Sequence, residues 1–357
     1  MKILIDIGHP GHVHYFRNFI KEMERRGNEF LIIARDKEVT FKLLDFYEIP
    51  YKQRGKGGKG FIGKLLYILI ADFRILRYAI RFKPDIFLSF SSTYAGHVAF
   101  ILNKPHVVFD DTEHAKLEHI MYKPFAKSII TPSCFYKKLG QKQIFFNGYM
   151  ELCYLHKKRF TPCIDIFDLL QISKNEKYII VRFVAWEAGH DIGQHGLNYR
   201  SKIKLVNELN NYARVFISSE SELPEELEKF RISIPPQKLH DALSFCYLYI
   251  GEGGTTASEA AILGIPALYI NSLPLMGYLN DEKNAGLLFH LNNPEEILDK
   301  AIEILKTQNS KEIFYDKSQI FLIDKIDVTA FMVWFFENYP DSLNIMKETP
   351  NYQDQFI

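Results

Sequence analysis

The segment from Tyr247 to Pro266, YLYIGEGGTTASEAAILGIP, restricts the fold more than any other part of the chain. Tyr247-Leu-Tyr-Ile250 is an apolar run of buried-strand type. Gly253, Gly254, Thr255 and Thr256 make a tight polar turn, and residues 258–263 are mostly strong helix formers. Gly264-Ile-Pro266 closes that helix with a glycine stop and a proline. Strand, glycine-rich turn and helix start, in that order, aim unpaired backbone N–H groups and the positive helix end at an anion. The two threonine hydroxyls add donors. Glu259 lies about one turn into the helix, where a carboxylate can grip the vicinal hydroxyls of a ribose. A carboxylate behind a phosphate cradle points to a nucleotide rather than a bare phosphate. The plainer alternative is a β-to-α turn with glycines for shape and threonines as caps.

The N-terminal half opens in the same manner. Residues 2–7 form an apolar strand running into Gly8-His-Pro-Gly-His12, a helix follows over 13–26, Gly27 ends it, and 29–34 is the next strand. This βαβ opening begins a doubly wound sheet, and it lacks the G-x-G-x-x-G dinucleotide fingerprint. A short strand at 49–52 leads to Arg54-Gly-Lys-Gly-Gly-Lys-Gly60, whose glycines and cations predict a mobile loop. Residues 61–82 read as a long, very apolar helix carrying Lys64, Arg74, Arg77 and Arg81. It is either a buried crossover helix or a basic-flanked apolar face for an anionic membrane or a lipid-linked acceptor. A strand at 105–109 ends in Asp110-Asp-Thr-Glu-His114, which puts acidic and imidazole groups where open α/β sheets keep their sites. Strands at 128–131 and 143–146 close this half, and 147–162 reads as a linker.

A second α/β series follows. It has strands at 178–183, 214–218, 247–250 and 267–270, and helices at 202–210, 238–245 and 295–306. An aromatic helix at 328–336 is expected to pack back across the junction. A length of 357 residues agrees with two domains, placed at 1–155 and 163–325 with a terminal helical segment at 326–357. Net charge of +1 gives no general pull toward nucleic acid. Cys134, Cys153, Cys163 and Cys246 include no Cys-x-x-Cys pair and read as reduced thiols of a cytoplasmic protein. No stretch has the ~18 uncharged apolar residues of a membrane span, so any contact with the inner face of the cell membrane would be peripheral, through 54–82.

Two αβ halves, no dinucleotide signature and a late Gly-Gly-Thr-Thr-x-x-Glu segment together resemble the GT-B superfamily, which holds many nucleotide-sugar glycosyltransferases and the UDP-N-acetylglucosamine 2-epimerases. The resemblance implies two Rossmann-like parallel-sheet domains facing a central cleft. It implies that Gly253, Gly254, Thr255 and Thr256 hold the donor diphosphate and that Glu259 holds the ribose. The first turn, Gly8 and Gly11-His12-Val13, looks like the opening loop of the peptidoglycan N-acetylglucosaminyltransferase, which approaches donor and acceptor. Asp111-Thr-Glu113-His114-Ala is similar to a loose form of the epimerases' His-x-Glu-Ala-Gly segment, without its histidine and glycine. Nor does the opening loop match the epimerases' Gly-Thr-Arg-Pro-Glu. The chain as a whole is similar to a prokaryotic group encoded with surface-polysaccharide genes.

The implied activity is a metal-independent glycosyltransferase acting on a nucleotide sugar, UDP-linked, with a glycan or lipid-linked sugar as acceptor. The alternative is a sugar-nucleotide 2-epimerase. Neither needs a bound cofactor. Sugar transfer requires neutralisation of the leaving diphosphate and a base for the acceptor hydroxyl. Arg182, at the end of the strand opening the second half, is the candidate cation, and Ser218 ends the next strand. His12, His9, Asp111 and Glu113 are the candidate bases. The loop Trp186-Glu-Ala-Gly-His-Asp191 offers His190 to the substrate, and with His195 it raises a weaker metal alternative. By position alone, Arg231-Ile-Ser-Ile-Pro-Pro236, centred on Ile234, is the base-reading loop.

Overall fold

Ile3, Leu4, Ile5 and Ile7 are fully buried along the first strand, as a central parallel strand covered on both faces requires. The computed structural model describes residues 1–58, 60–184, 197–219 and 222–357, without the side chains of residues 61, 62, 64 and 65. These form two compact units, Met1–Arg159 with Lys325–Ile357, and Phe160–Asp324.

In the first unit the elements run β1 (Lys2–Ile7), α1 (Pro10–Arg25), β2 (Glu29–Arg35), α2 (Thr40–Phe46), β3 (Tyr51–Gly55), α3 (Gly60–Phe82), β4 (Ile86–Phe90), α4 (Thr93–Ile101), β5 (His106–Phe109), α5 (Lys116–Tyr122), β6 (Ser128–Pro132), β7 (Gln143–Phe146) and α6 (Leu152–Leu155). The seven strands lie in the order β3-β2-β1-β4-β5-β6-β7, every neighbouring pair parallel. The chain first builds outward from β1 to β3, then returns to the other side of β1 with β4. Right-handed crossovers therefore put α3, α4 and α5 on one face and α1 on the other. Ile75 and Ala79 of α3 and Val98 of α4 pack on Leu4, Ile33 and Phe87. On the opposite face α1 meets α6 and buries Val13, Phe16, Phe19 and Met23.

Three local expectations change. Helix α1 starts at Pro10 rather than residue 13, because proline presets the first helical φ and the Nδ1 of His9 accepts the N–H of Gly11 at 3.1 Å. Arg54 does not begin a mobile loop; it lies in β3, 3% exposed, ion-paired with Asp6. Residues 147–159 do not form a linker, since Tyr149, Met150, Cys153 and Tyr154 are core residues and α6 packs on α1.

The second unit runs α7 (Ile166–Leu170), β8 (Tyr178–Phe183), α8 (Tyr199–Leu209), β9 (Arg214–Ser219), α9 (Glu225–Glu228), α10 (Leu239–Phe245), β10 (Leu248–Gly251), α11 (Gly254–Ile262), β11 (Ala267–Ile270), α12 (Gly277–Asn284), β12 (Leu288–Leu291), α13 (Pro294–Lys306) and α14 (Ser310–Phe321). Its five strands lie in the order β12-β11-β10-β8-β9, again all parallel. Leu205, Val206 and Leu209 of α8 and Ile297, Ala301 and Ile304 of α13 close one face of this sheet. Gly264 stops α11 at φ +75°, and a Cβ there would stand 2.8 Å from the backbone of Tyr315 in α14, so only glycine fits.

The chain ends in α15 (Val328–Glu337) and α16 (Asp341–Glu348), both within the first unit. Phe331, Phe335 and Phe336 of α15 are fully buried, and the helix packs on α1 and α6. Arg159 pairs with Asp327, the N-cap of α15, and with Glu22 of α1. The terminal helical segment at 326–357 thus clusters with the first unit. Among the described residues no helix is long and apolar enough to cross a membrane.

Candidate functional site

Both sheets reverse their direction of growth once, between β1 and β4 and between β8 and β10, and such switch points open a crevice beyond the strands' carboxyl ends. In the second unit the Gly253–Thr256 turn stands at this position. Gly253 is the N-cap of α11, with φ −98° and ψ 125° and no side-chain cap. The N–H groups of the first helical turn, normally orphaned, therefore receive no capping side chain from the N-cap residue, and Gly253, Gly254 and Thr255 are partly open to solvent. A Cβ on Gly254 would lie 3.2 Å from the Met276 methyl and the Tyr278 hydroxyl, so glycine lets the N-terminus of α12 close against the turn. Strand register carries Arg182 of β8 beside Gly251 and Ser218 of β9 beside Arg182. The Arg182 guanidinium donates to the Ser218 Oγ at 2.7 Å. A cation, a hydroxyl and uncapped amides thus share one end of the sheet, a suitable arrangement for an anion.

Glu259 sits on the inner side of α11, 4% exposed, with Oε1 2.9 Å from the Nε2 of His240 in α10. One residue earlier, Ser258 donates to Glu282 of α12. Burial pushes the Glu282 carboxyl up to about 8, so it keeps its proton at neutral pH. Glu252, in the turn itself, accepts the backbone N–H groups of Val184 at 3.1 Å and Leu197 at 2.9 Å. These bonds spend its charge on the backbone beside the anion cradle. Ile234 is half-buried on a bend just past the bridge between Arg231 and Ile217, so the segment around it hangs on β9 next to Ser218.

In the first unit, Asp6 interrupts the apolar run of β1 and is 1% exposed. Arg54 and Ser92 both bond its Oδ2, and the Arg54 guanidinium lies 4.4 Å from the centre of the Tyr94 ring. Burial still raises the Asp6 carboxyl above its ordinary value, against the pull of Arg54 and Ser92. The guanidinium also comes close to the open side of Gly8, where a Cβ would meet it only at 3.7 Å. His12 packs on Phe90 at 4.9 Å between ring centres, and its Nδ1 accepts the Gly8 N–H at 3.2 Å. Burial first, then the nearby His9, Lys37 and Arg54, hold the His12 imidazole well below its ordinary pKa. Neutral His12 with an occupied Nδ1 carries its proton on Nε2. It is therefore a hydrogen-bond donor, and His9 is the cap of α1; neither presents the lone pair of a base in this arrangement.

The other candidates form a separate acidic nest beyond β5. Asp110 accepts the Tyr122 hydroxyl at 2.5 Å and the Thr112 N–H at 2.9 Å, and lies 3.0 Å from the His119 Nε2. Its neighbour Asp111 accepts the Thr112 hydroxyl at 3.0 Å. Burial, then Asp110 and Glu113, push Asp111 up to about 8. Glu113 is nearly sealed, its Oε1 receiving the Tyr136 N–H at 3.4 Å. Asp111 thus holds a proton at neutral pH beside a second buried carboxyl, which is the usual layout of an acid–base pair.

The structure therefore gathers Gly253 to Thr256, Arg182, Ser218 and Glu259 in the second unit. It separates the first unit's candidates into an imidazole pair and an acidic nest. His190, with Trp186, Asp191 and His195, lies outside the described residues. Among the described residues no three His, Cys, Asp or Glu side chains are placed to hold a metal ion. Asp6, Arg54 and His240 were missed from sequence. A lone carboxylate in the apolar run Ile3-Leu-Ile-Asp-Ile7 was the available signal for Asp6; nothing local marked the other two.

Two Rossmann-like parallel sheets with these switch points are those of the GT-B architecture, and solved structures agree. The Staphylococcus aureus MnaA–UDP co-structure matches with TM-score 0.65 at 15% identity over 89% of this chain and 90% of that one. UDP-GlcNAc 2-epimerase from Neisseria meningitidis bound to UDP-GlcNAc matches with TM-score 0.65 at 14% identity, over 90% and 99%. Spinosyn rhamnosyltransferase SpnG complexed with spinosyn aglycone matches with TM-score 0.60 at 16% identity, over 95% and 100%. The chain belongs to the family described as "Protein of unknown function (DUF354)", which matches residues 1–333. An uncharacterized protein of Methanocaldococcus jannaschii is 27% identical over 335 residues, 89% of this chain and 97% of its own length.

Proposed function

We propose that the protein is a metal-independent glycosyltransferase that moves a sugar from a UDP-linked donor to a glycan or lipid-linked acceptor in surface-polysaccharide or glycolipid assembly. The carrying observation is the uncapped N-terminus of α11, flanked by Arg182 at the switch point of the second sheet. Its amides and Arg182 neutralise the leaving diphosphate, and Glu259, oriented by His240, receives the ribose hydroxyls. UDP in the MnaA co-structure and UDP-GlcNAc in the Neisseria enzyme support this choice of nucleotide. The first unit supplies the proton-handling groups: His12 donates from Nε2, and the Asp111–Glu113 pair exchanges the proton.

A second reading, a sugar-nucleotide 2-epimerase, is favoured by that same pair, because epimerisation needs a proton donor and acceptor rather than an acceptor hydroxyl. Two measurements test these readings. A thermal-shift panel of nucleotides and nucleotide sugars should show the largest stabilisation with UDP compounds; no shift with any nucleotide removes both readings. Incubation with the donor sugar alone should leave it unchanged, and an isomerised sugar without acceptor would favour the epimerase.

A further inference from the structure

The face of the first unit built from α3, α4 and α5 is an apolar wall. The inner stripe of α3, Tyr67, Ala71, Ile75 and Ala79, recurs every fourth residue and is buried. Its outer stripe is equally apolar: Leu69 is 69% and Phe73 67% exposed, with Ile70 beside them. An ordinary surface helix carries polar residues there. Helix α3 packs on α4, and α4 on α5; Asp72 of α3 joins His97 of α4 at 2.8 Å. Exposed Phe100 and Ile101 of α4, and Leu117 and Ile120 of α5, continue the apolar surface. Apolar side chains clustered on an exposed face in this way mark an interaction surface.

The charges around the wall identify that partner. Arg74, Arg77 and Arg81 stand exposed on α3, whose one carboxylate, Asp72, is the partner of His97. Past the end of α5, the Lys142 ammonium donates to the carbonyls of Lys123 at 3.1 Å and Pro124 at 3.0 Å. Burial, Lys127 and Lys123 together lower its pKa, so three lysines crowd that edge. Glu118 is the exposed acid of α5. An anionic surface neutralises the arginine row, whereas α3 offers a second copy of this chain no carboxylate to pair with it, since Asp72 is held by His97.

We propose that the α3–α4–α5 wall docks the first unit on an anionic lipid bilayer, with its apolar side chains among the acyl chains and its arginines and lysines on the headgroups. This surface does not depend on the nucleotide chemistry of the second unit. The test is co-sedimentation of the full chain with vesicles of phosphatidylcholine, with and without phosphatidylglycerol. The protein should pellet with the phosphatidylglycerol vesicles, less so as salt is raised, and weakly with phosphatidylcholine alone. Leu69→Ser with Phe73→Ser should lower the partition at least about tenfold. Arg77→Ala with Arg81→Ala should lower it by roughly fivefold per cation. Both pairs of positions are exposed, so the melting temperature and any UDP shift should stay at wild-type values. Absence of wild-type binding to phosphatidylglycerol vesicles, or unchanged binding in both variants, overturns the proposal. So does a wild-type dimer in sedimentation velocity that the Leu69→Ser, Phe73→Ser variant turns into a monomer while neither binds vesicles; that outcome gives the wall to a second copy.

Discussion

The Nε2 of His240 lies 2.9 Å from the Oε1 of Glu259, with both residues under 5% exposed. A buried carboxylate with an imidazole partner is oriented before any ligand arrives, so little entropy is lost when it is used. If Glu259 receives the ribose, Glu259→Gln should weaken UDP binding by roughly 10-fold or more, the worth of a charge-assisted hydrogen bond. His240→Leu should weaken it less, and His240→Gln, which keeps a donor, should recover part of the loss. Calorimetric titration of UDP reads all three. Unchanged affinity in Glu259→Gln removes the ribose assignment.

Asp111 carries its proton to about 8 because burial and two neighbouring carboxyls oppose its charge. Asp111→Asn preserves shape and neutrality but cannot exchange the proton. Turnover should fall by about 10²-fold or more, with UDP affinity unchanged. A variant that keeps wild-type turnover would take Asp111 out of the chemistry.

Glu282 gives a stability prediction with a definite sign. Its folded pKa is about 8, above its ordinary 4.5, so the folded state holds the proton longer than the unfolded chain does. Its contribution is therefore fully present below about 4.5 and lost as pH rises toward 8. Glu282→Gln fixes the neutral form and still accepts from Ser258. The variant should match wild type near pH 4.5 and melt several degrees higher at pH 8, about 2–4 °C per kcal/mol. A difference in melting temperature that does not vary with pH contradicts the assignment.

Asp6 and Arg54 form a buried ion pair with Ser92 as the third member. Removing one charge leaves the other stranded in an apolar setting. Asp6→Asn should cost roughly 3–5 kcal/mol in urea unfolding, far more than an exposed pair such as Lys2–Glu29, whose loss should cost under about 1 kcal/mol. Equal losses at the two pairs would show that Arg54 finds a compensating partner.

What the sequence by itself determined was local. The apolar periods and the turn residues marked α1, α3, α11 and nearly every strand, and with them the doubly wound class, because helix and strand periodicity and glycine stops act over a few neighbours. The Gly253–Thr256 turn was legible for the same reason. Tertiary structure decided everything that depends on which segments become neighbours. It sank Arg54 of an apparently mobile loop beside Asp6, far away in sequence, and took residues 147–159 and α15 into the first unit's core. It set His240 on Glu259 and left Asp111 its proton while giving His12 to Gly8. Burial and distance to other charges fix protonation, and neither quantity exists until the strands are ordered into a sheet.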